Sequence, residues 1–110
     1  MNREALILII EDDLLDVKNI RRAFAEIHIS NPIRVVTDGE QALAYLRNEV
    51  PFEDALRNPR PGLILLDLNL PKLNGLQFLE AYKSDPLLKR IPSVVLTTSD
   101  EETDRARSYS

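Results

Sequence analysis

The sequence predicts an α/β fold, a doubly wound parallel sheet with helices on both faces. Two observations lead to this prediction. Short, continuous apolar runs indicate strands that are buried on both faces, as in parallel sheets, and they alternate with segments of helical periodicity. The chain has 110 residues, which suits one domain with a single core. Because crossovers between parallel strands are right-handed, the helices fall on both faces of the sheet.

The first strand is the apolar run at residues 5–10, and it ends on three acids, Glu11, Asp12 and Asp13. A helix follows, and Asp13 is well placed to be its N-cap. Its apolar face is predicted to comprise Leu14, Val17, Ile20, Phe24 and Ile27. The Ser-Asn-Pro sequence at residues 30–32 ends this helix.

A short strand at Ile33–Val36 is followed by Asp38-Gly39, which begins a second helix with Ala42, Leu43 and Leu46 directed inward. Between residues 48 and 62 the periodicity is lost in a polar, proline-containing connection. We predict a surface excursion there, with a helical turn near residues 52–57.

The central strand is the run Leu63 to Leu66, which leads directly into Asp67. A third helix is marked by Leu76, Leu79 and Tyr82 and is stopped by Asp85-Pro86. Ser93–Leu96 reads as a further buried strand, and residues 100–109 as a fourth helix. Tyr45 and Tyr82 are predicted to be core or half-core residues.

Composition excludes several functional classes. The formal net charge of −4 argues against nucleic acid as a direct partner. The absence of cysteine excludes disulfides, thiolate metal sites and cysteine nucleophiles. The apolar run before Glu11 is too short for a signal peptide or a membrane span, so we expect no membrane association and a cytoplasmic protein.

Two of the predicted strands end in carboxylates, the first at Glu11 and Asp12 and the central one at Asp67. Ligands of open α/β sheets bind outside the carboxyl ends of the strands. If these two strands are neighbours, three carboxylates converge, and protonation or a cation must offset their repulsion. An Asp at a strand end can also simply cap the following turn, so Asp67 alone does not decide between a functional site and a cap.

Oxygen ligands without His or Cys favour a hard cation, and Mg²⁺ fits best because it keeps room for water and phosphoryl oxygens. A carboxylate left over beside Mg²⁺ suits a nucleophile that forms an acyl phosphate. The Thr97 hydroxyl, after the next strand, is placed to donate a hydrogen bond to the new phosphoryl group.

These residues carry a family resemblance. The acids after the first strand, the segment Leu65-Leu66-Asp67-Leu68-Asn69-Leu70-Pro71-Lys72-Leu73-Asn74-Gly75, and Val95-Leu96-Thr97-Thr98 are similar in order and spacing to the receiver domain of two-component response regulators. The resemblance covers essentially the whole chain and implies a flavodoxin-like sheet with strand order 2-1-3-4 among the strands present. The proline-rich connection and the Thr-Thr-Ser end also resemble single-domain regulators associated with phytochromes.

The resemblance implies a role for each matched residue. Asp67 is the phosphoacceptor, Thr97 the switch hydroxyl, and Thr98 the position that controls access to Asp67. The Mg²⁺ ligands it implies are Glu11 (directly or through water), Asp12, Asp67 and the backbone carbonyl of Asn69. The implied partner is a sensor histidine kinase, a bacterial phytochrome in the narrower resemblance. The domain promotes its own phosphorylation and dephosphorylation without being a turnover enzyme.

One departure concerns the C-terminal side of the domain. The family has a Lys at the end of a fifth strand, whereas this sequence ends at Ser110 within the predicted fourth helix. We therefore expect a receiver domain over residues 1–110 that lacks the fifth strand and fifth helix. The fourth strand would then be an apolar sheet edge, so we expect either a marginally stable monomer or, as the favoured alternative, self-association into a homodimer.

Two other functions compete with the phosphorylation switch. A Mg²⁺-dependent phosphatase with an aspartyl nucleophile is suggested by Asp67-x-Asn69, although Asn69 cannot supply the second acid of that motif. A non-phosphorylated interaction domain is compatible with the missing Lys. His28, the one histidine, is predicted to be a surface residue rather than a phosphoryl donor.

Overall fold

The computed structural model describes residues 4–67 and 74–96. Its elements, in chain order, are β1 (Leu6–Ile10), α1 (Leu14–Glu26), β2 (Ile33–Val36), α2 (Gly39–Leu46), β3 (Pro61–Asp67), α3 (Asn74–Ser84), a 3₁₀ turn (Leu88–Arg90) and β4 (Ser93–Leu96). The four strands are all parallel and lie in the order β2-β1-β3-β4. The predicted fold class and strand order are confirmed. The predicted fourth helix at residues 100–109 lies outside the described residues.

Successive residues of β1 serve two different cores. Leu8 and Ile10 belong to a large cluster on the face of α2 and α3, whereas Ile7 and Ile9 belong to a cluster on the face of α1. All five residues of β1 are buried, as expected for a central parallel strand. This alternation is the physical basis of the doubly wound arrangement, because each face of the sheet needs its own cover of helices.

Aromatic side chains fill the larger core. Tyr45 of α2 and Phe78 and Tyr82 of α3 are almost fully buried, and the rings of Phe78 and Tyr82 stack with their centroids 5.7 Å apart. The hydroxyl of Tyr82 donates a hydrogen bond to the carbonyl of Ile91, and that of Tyr45 donates to the carbonyl of Pro59. The prediction that Tyr45 and Tyr82 belong to the core is confirmed.

Four residues of the predicted apolar helix faces and buried strands are exposed instead, one of them Leu76 of α3, which is 54% exposed. Leu14 and Ile27 are 75% and 63% exposed, because Leu14 is the first residue of α1 and Ile27 is its C-cap, beyond the part that packs on the sheet. Val94 is 43% exposed, so β4 is less buried than predicted. The reason is its place at the edge of the sheet formed by the described strands.

Both α1 and α2 end in the same hydrogen-bonded motif, with a non-glycine residue in the left-handed region. After α1, the N–H groups of His28 and Ile29 donate to the carbonyls of Ala25 and Phe24, and His28 has φ = 62°. After α2, Asn48 takes the corresponding position with φ = 51°. This motif satisfies carbonyls at the end of a helix, and glycine is the residue that usually makes it.

The connection between α2 and β3 is tied to the domain by a polar network. Asn58 is 7% exposed; its side-chain oxygen accepts from Arg34 of β2 at 2.9 Å, and its side-chain nitrogen donates to the carbonyl of Asp54 at 3.0 Å. The guanidinium of Arg34 also lies over the ring of Tyr45, 5.7 Å from its centroid. The predicted surface excursion is therefore held to the domain by buried hydrogen bonds. Its predicted helical turn consists of one backbone hydrogen bond, from the Asn58 N–H to the Asp54 carbonyl.

Candidate functional site

The carboxyl ends of β1 and β3 place two of the predicted acids side by side. The strands pair in parallel, with Ile10 opposite Leu66 at the end of the shared register. Glu11 and Asp67 are the next residues on the two strands, and neighbouring strands lie about 4.8 Å apart. The condition on which the sequence argument depended, that the first and third strands are neighbours, is met.

Glu11 and Asp12 differ sharply in exposure. Glu11 is only 2% exposed, and its backbone N–H donates to the carbonyl of Val36 at the end of β2. Its carboxylate accepts a hydrogen bond from the backbone N–H of Asp13 at 3.0 Å. Asp12 is exposed to solvent. Of these two acids, Asp12 is thus the one that is accessible from solvent.

Asp13 is the N-cap of α1, as predicted. Its backbone is extended, with φ = −98° and ψ = 114°, and its side chain accepts from the backbone N–H of Leu15 at 2.9 Å. Negative charge at this position is also favoured by the helix dipole. The local sequence indicates the cap, but it gives no sign of the bond between Asp13 and the buried carboxylate of Glu11.

The remaining predicted site residues are Asn69, Thr97 and Thr98, and all three lie outside the described residues. β4 pairs with β3 through Leu96 opposite Asp67. Thr97 follows Leu96 in the sequence. The roles of these residues therefore stay predictions.

The donor set at this edge consists of carboxylate oxygens. Among the side chains that the structure describes, no group of three or more His, Cys, Asp and Glu residues is close enough to hold a metal ion. Glu11 and Asp12 supply two acids, and the position of the third predicted ligand, Asp67, is given by the strand register. Hard oxygen donors of this kind suit Mg²⁺ or Mn²⁺ rather than a thiophilic ion.

Tyr45, which lies away from this edge, has a displaced pKa. Burial raises the pKa of the Tyr45 hydroxyl above its usual 10.0, and the charge of Arg34 partly opposes this. Tyr45 lies near the C-terminal end of α2 and bonds to the segment that leads into β3, so it belongs to the end of the sheet where the strands begin.

The parallel sheet, the paired acids and the Asp at the end of β3 define the class of protein. The chain belongs to the response regulator receiver domain family, whose model matches residues 7–110. Among individual relatives, response regulator Rcp1 of Synechocystis sp. is 42% identical over 108 residues, which cover 98% of this chain and 71% of Rcp1. The chain is thus a receiver domain of a two-component system that is homologous to phytochrome-associated regulators.

Solved structures agree with this assignment. The phosphorylated cyanobacterial phytochrome response regulator RcpA is 46% identical, with a TM-score of 0.77 over 96% of this chain and 74% of RcpA. The Mn²⁺-bound form of Rcp1 is 42% identical, also with a TM-score of 0.77, over 96% of this chain and 73% of Rcp1.

In the described part of the chain, no helix is both long and apolar enough to cross a membrane.

Proposed function

We propose that Asp67 accepts a phosphoryl group from a sensor histidine kinase and that this phosphorylation switches the binding of a partner. The observation that carries the proposal is the register of β1 and β3, which places Asp67 directly beside the strand that ends in Glu11 and Asp12. The end of a strand beside two acids of the neighbouring strand is a poor place for an Asp that only caps a turn, because negative charges repel each other. It is a good place for a nucleophile that works with a cation.

In the proposed transfer, an oxygen of the Asp67 carboxylate forms a bond to the phosphorus of phosphohistidine. The P–N bond breaks, and its electron pair stays on the imidazole nitrogen, which takes up a proton. The product is an aspartyl phosphate. Since the transition state of such transfers is loose, the contribution of the protein is chiefly to hold the acceptor in line and to balance charge.

Mg²⁺ is the cation that we assign to this reaction. Glu11, Asp12 and Asp67 would hold it, together with the backbone carbonyl of Asn69. When bound, the ion offsets the negative charge of the phosphoryl oxygens. The Mn²⁺-bound form of Rcp1 supports a divalent ion in this family, and the hard oxygen donors of this chain favour Mg²⁺.

The partner that we propose is a phytochrome-type histidine kinase. The support comes from the similarity to Rcp1 and to RcpA, which is a phytochrome response regulator. We further propose that the domain acts once per phosphorylation event rather than as a turnover enzyme. Three further statements stay predictions: that the protein is cytoplasmic, that it forms a homodimer, and that the domain spans residues 1–110.

Incubation with acetyl phosphate and Mg²⁺, followed by intact-mass measurement, tests the proposal. We expect the wild-type chain to gain one phosphoryl group and Asp67→Asn to gain none, because the amide keeps the shape and lacks the nucleophile. Asp38→Asn is the matched control: Asp38 also follows a strand of the sheet, and Asn still caps α2. Equal labelling of Asp67→Asn and wild type would contradict the proposal. Steady release of phosphate from an excess of phosphomonoester would instead identify a phosphatase.

A further inference from the structure

The three consecutive acids at the end of β1 are not equivalent in the structure. Glu11 is buried, whereas Asp12 and Asp13 are exposed. The family resemblance accounts for Glu11 and Asp12 and gives no role to Asp13 beyond that of a helix cap. The contacts of Asp13 indicate a further role.

Asp13 makes hydrogen bonds in two directions along the chain. Toward the strand, its backbone N–H donates to the buried carboxylate of Glu11 at 3.0 Å. Toward the helix, its side chain accepts from Leu15 N–H at 2.9 Å, and its carbonyl accepts from Val17 N–H at 3.1 Å. Asp13 thus joins the end of β1 to the first turn of α1.

Asp12 lies between two anchored neighbours as a result. On one side, Glu11 is held by its own N–H bond to Val36 and by the bond from Asp13. On the other side, Asp13 is held by the helix. The backbone of Asp12 therefore has little freedom, although its side chain is open to solvent.

We propose that Asp13 is a positioning residue for the acid site: through these bonds it fixes the direction of Asp12 and the carboxylate of Glu11 toward a divalent cation. The proposal rests on the proposed function, since it presumes that the cation binds there. Residues that orient metal ligands typically change metal affinity by 10- to 100-fold when they are altered. Because Asp13 acts partly through its backbone N–H, which survives substitution, we expect the low end of this range.

Two neutral variants separate positioning from charge. Asp13→Ala and Asp13→Ser both remove the carboxylate, but only Ser can still accept the Leu15 N–H as an N-cap. We expect Asp13→Ala to weaken Mn²⁺ binding about tenfold, as measured from the EPR signal of free Mn²⁺, and Asp13→Ser to weaken it by about threefold or less.

A second N-cap provides the control for stability. Asp38 caps α2 through a 2.8 Å bond from the Gln41 N–H, so Asp38→Ala removes a similar cap from the next helix along the chain. We expect Asp13→Ala and Asp38→Ala to lower the Tm by a similar amount, about 5 °C. Only Asp13→Ala should weaken Mn²⁺ binding.

The outcomes distinguish this inference from the proposed function. If the wild-type chain binds Mn²⁺ and Asp13→Ala binds it equally well, Asp13 is only a helix cap and the inference is wrong. Equal losses of affinity in Asp13→Ala and Asp13→Ser would show a charge effect and would also overturn it. If the wild type binds no Mn²⁺, the proposed function itself fails, and the inference fails with it.

Discussion

Replacement of Asn58 by Ala should destabilise the domain without affecting the acid site. Asn58 is almost completely buried in the connection that leads into β3. Its side chain accepts one bond from the Arg34 guanidinium at 2.9 Å and donates one to the Asp54 carbonyl at 3.0 Å. Both bonds are lost in Asn58→Ala.

The expected cost follows from the two bonds. A hydrogen bond to a charged group contributes about 1.5–3 kcal/mol, and one between neutral groups about 0.5–1.5 kcal/mol. Arg34 keeps its second bond, to the carbonyl of Arg57 at 3.0 Å, and can recover some solvation at the partly exposed edge of β2. We therefore expect the free energy of unfolding to fall by about 2 kcal/mol in Asn58→Ala.

Urea denaturation followed by far-UV circular dichroism measures this loss. Glu53→Ala, at an exposed position of the same segment, is the control and should change the free energy of unfolding by about 0.5 kcal/mol or less. A double-mutant cycle with Arg34→Met should give a coupling of about 1 kcal/mol with Asn58→Ala. A loss in Asn58→Ala no larger than in Glu53→Ala would refute the reasoning, as would a coupling of zero.

Three smaller effects are expected at the helix ends and at Tyr45. His28→Gly should stabilise the domain by about 1 kcal/mol, because glycine adopts a positive φ without strain; thermal denaturation showing a lower Tm would contradict this. Asn48→Gly should destabilise by about 0.5–1 kcal/mol, since the Asn48 side chain donates to the carbonyls of Phe52 and Asn58; a gain equal to that of His28→Gly would show these bonds to be negligible. Because burial raises the pKa of Tyr45, the folded state holds this proton more tightly, and stability should fall as the pH rises above about 10. Denaturation of Tyr45→Phe against wild type at pH 8 to 11 measures this: the difference in stability should shrink with pH, and a constant difference would contradict it.

Local signals in the sequence were enough to predict the described strands and α-helices and much of the core. The apolar runs identified β1 and β3 because a strand that is buried on both faces is apolar at every position rather than at every second one. Helical periodicity wrongly predicted that Leu14 and Ile27 are buried, because it does not show where along a helix the packing against the sheet stops. It also missed Phe78, which is only 1% exposed and lies in α3 between the two leucines that marked the helix.

Nonlocal contacts were beyond the reach of sequence patterns. Arg34 and Asn58 are 24 residues apart, so nothing in the local composition of the connection indicates that they bond. For the site, Asp67 and the acids after β1 could be predicted as one group because parallel strands end at one edge of the sheet. The bond between Glu11 and Asp13 was not, because it depends on the chain direction at the start of α1.

The central claim is that Asp67 carries the phosphoryl group, and chemical mapping of the modified residue tests it most directly. Borohydride reduces an aspartyl phosphate to homoserine, so the wild-type chain is treated with acetyl phosphate and Mg²⁺, reduced, digested and sequenced by tandem mass spectrometry. We predict homoserine at position 67 and unchanged aspartate at positions 12, 13 and 38. Homoserine at one of those other positions, or a phosphoryl group that survives on a serine or threonine, would contradict the account.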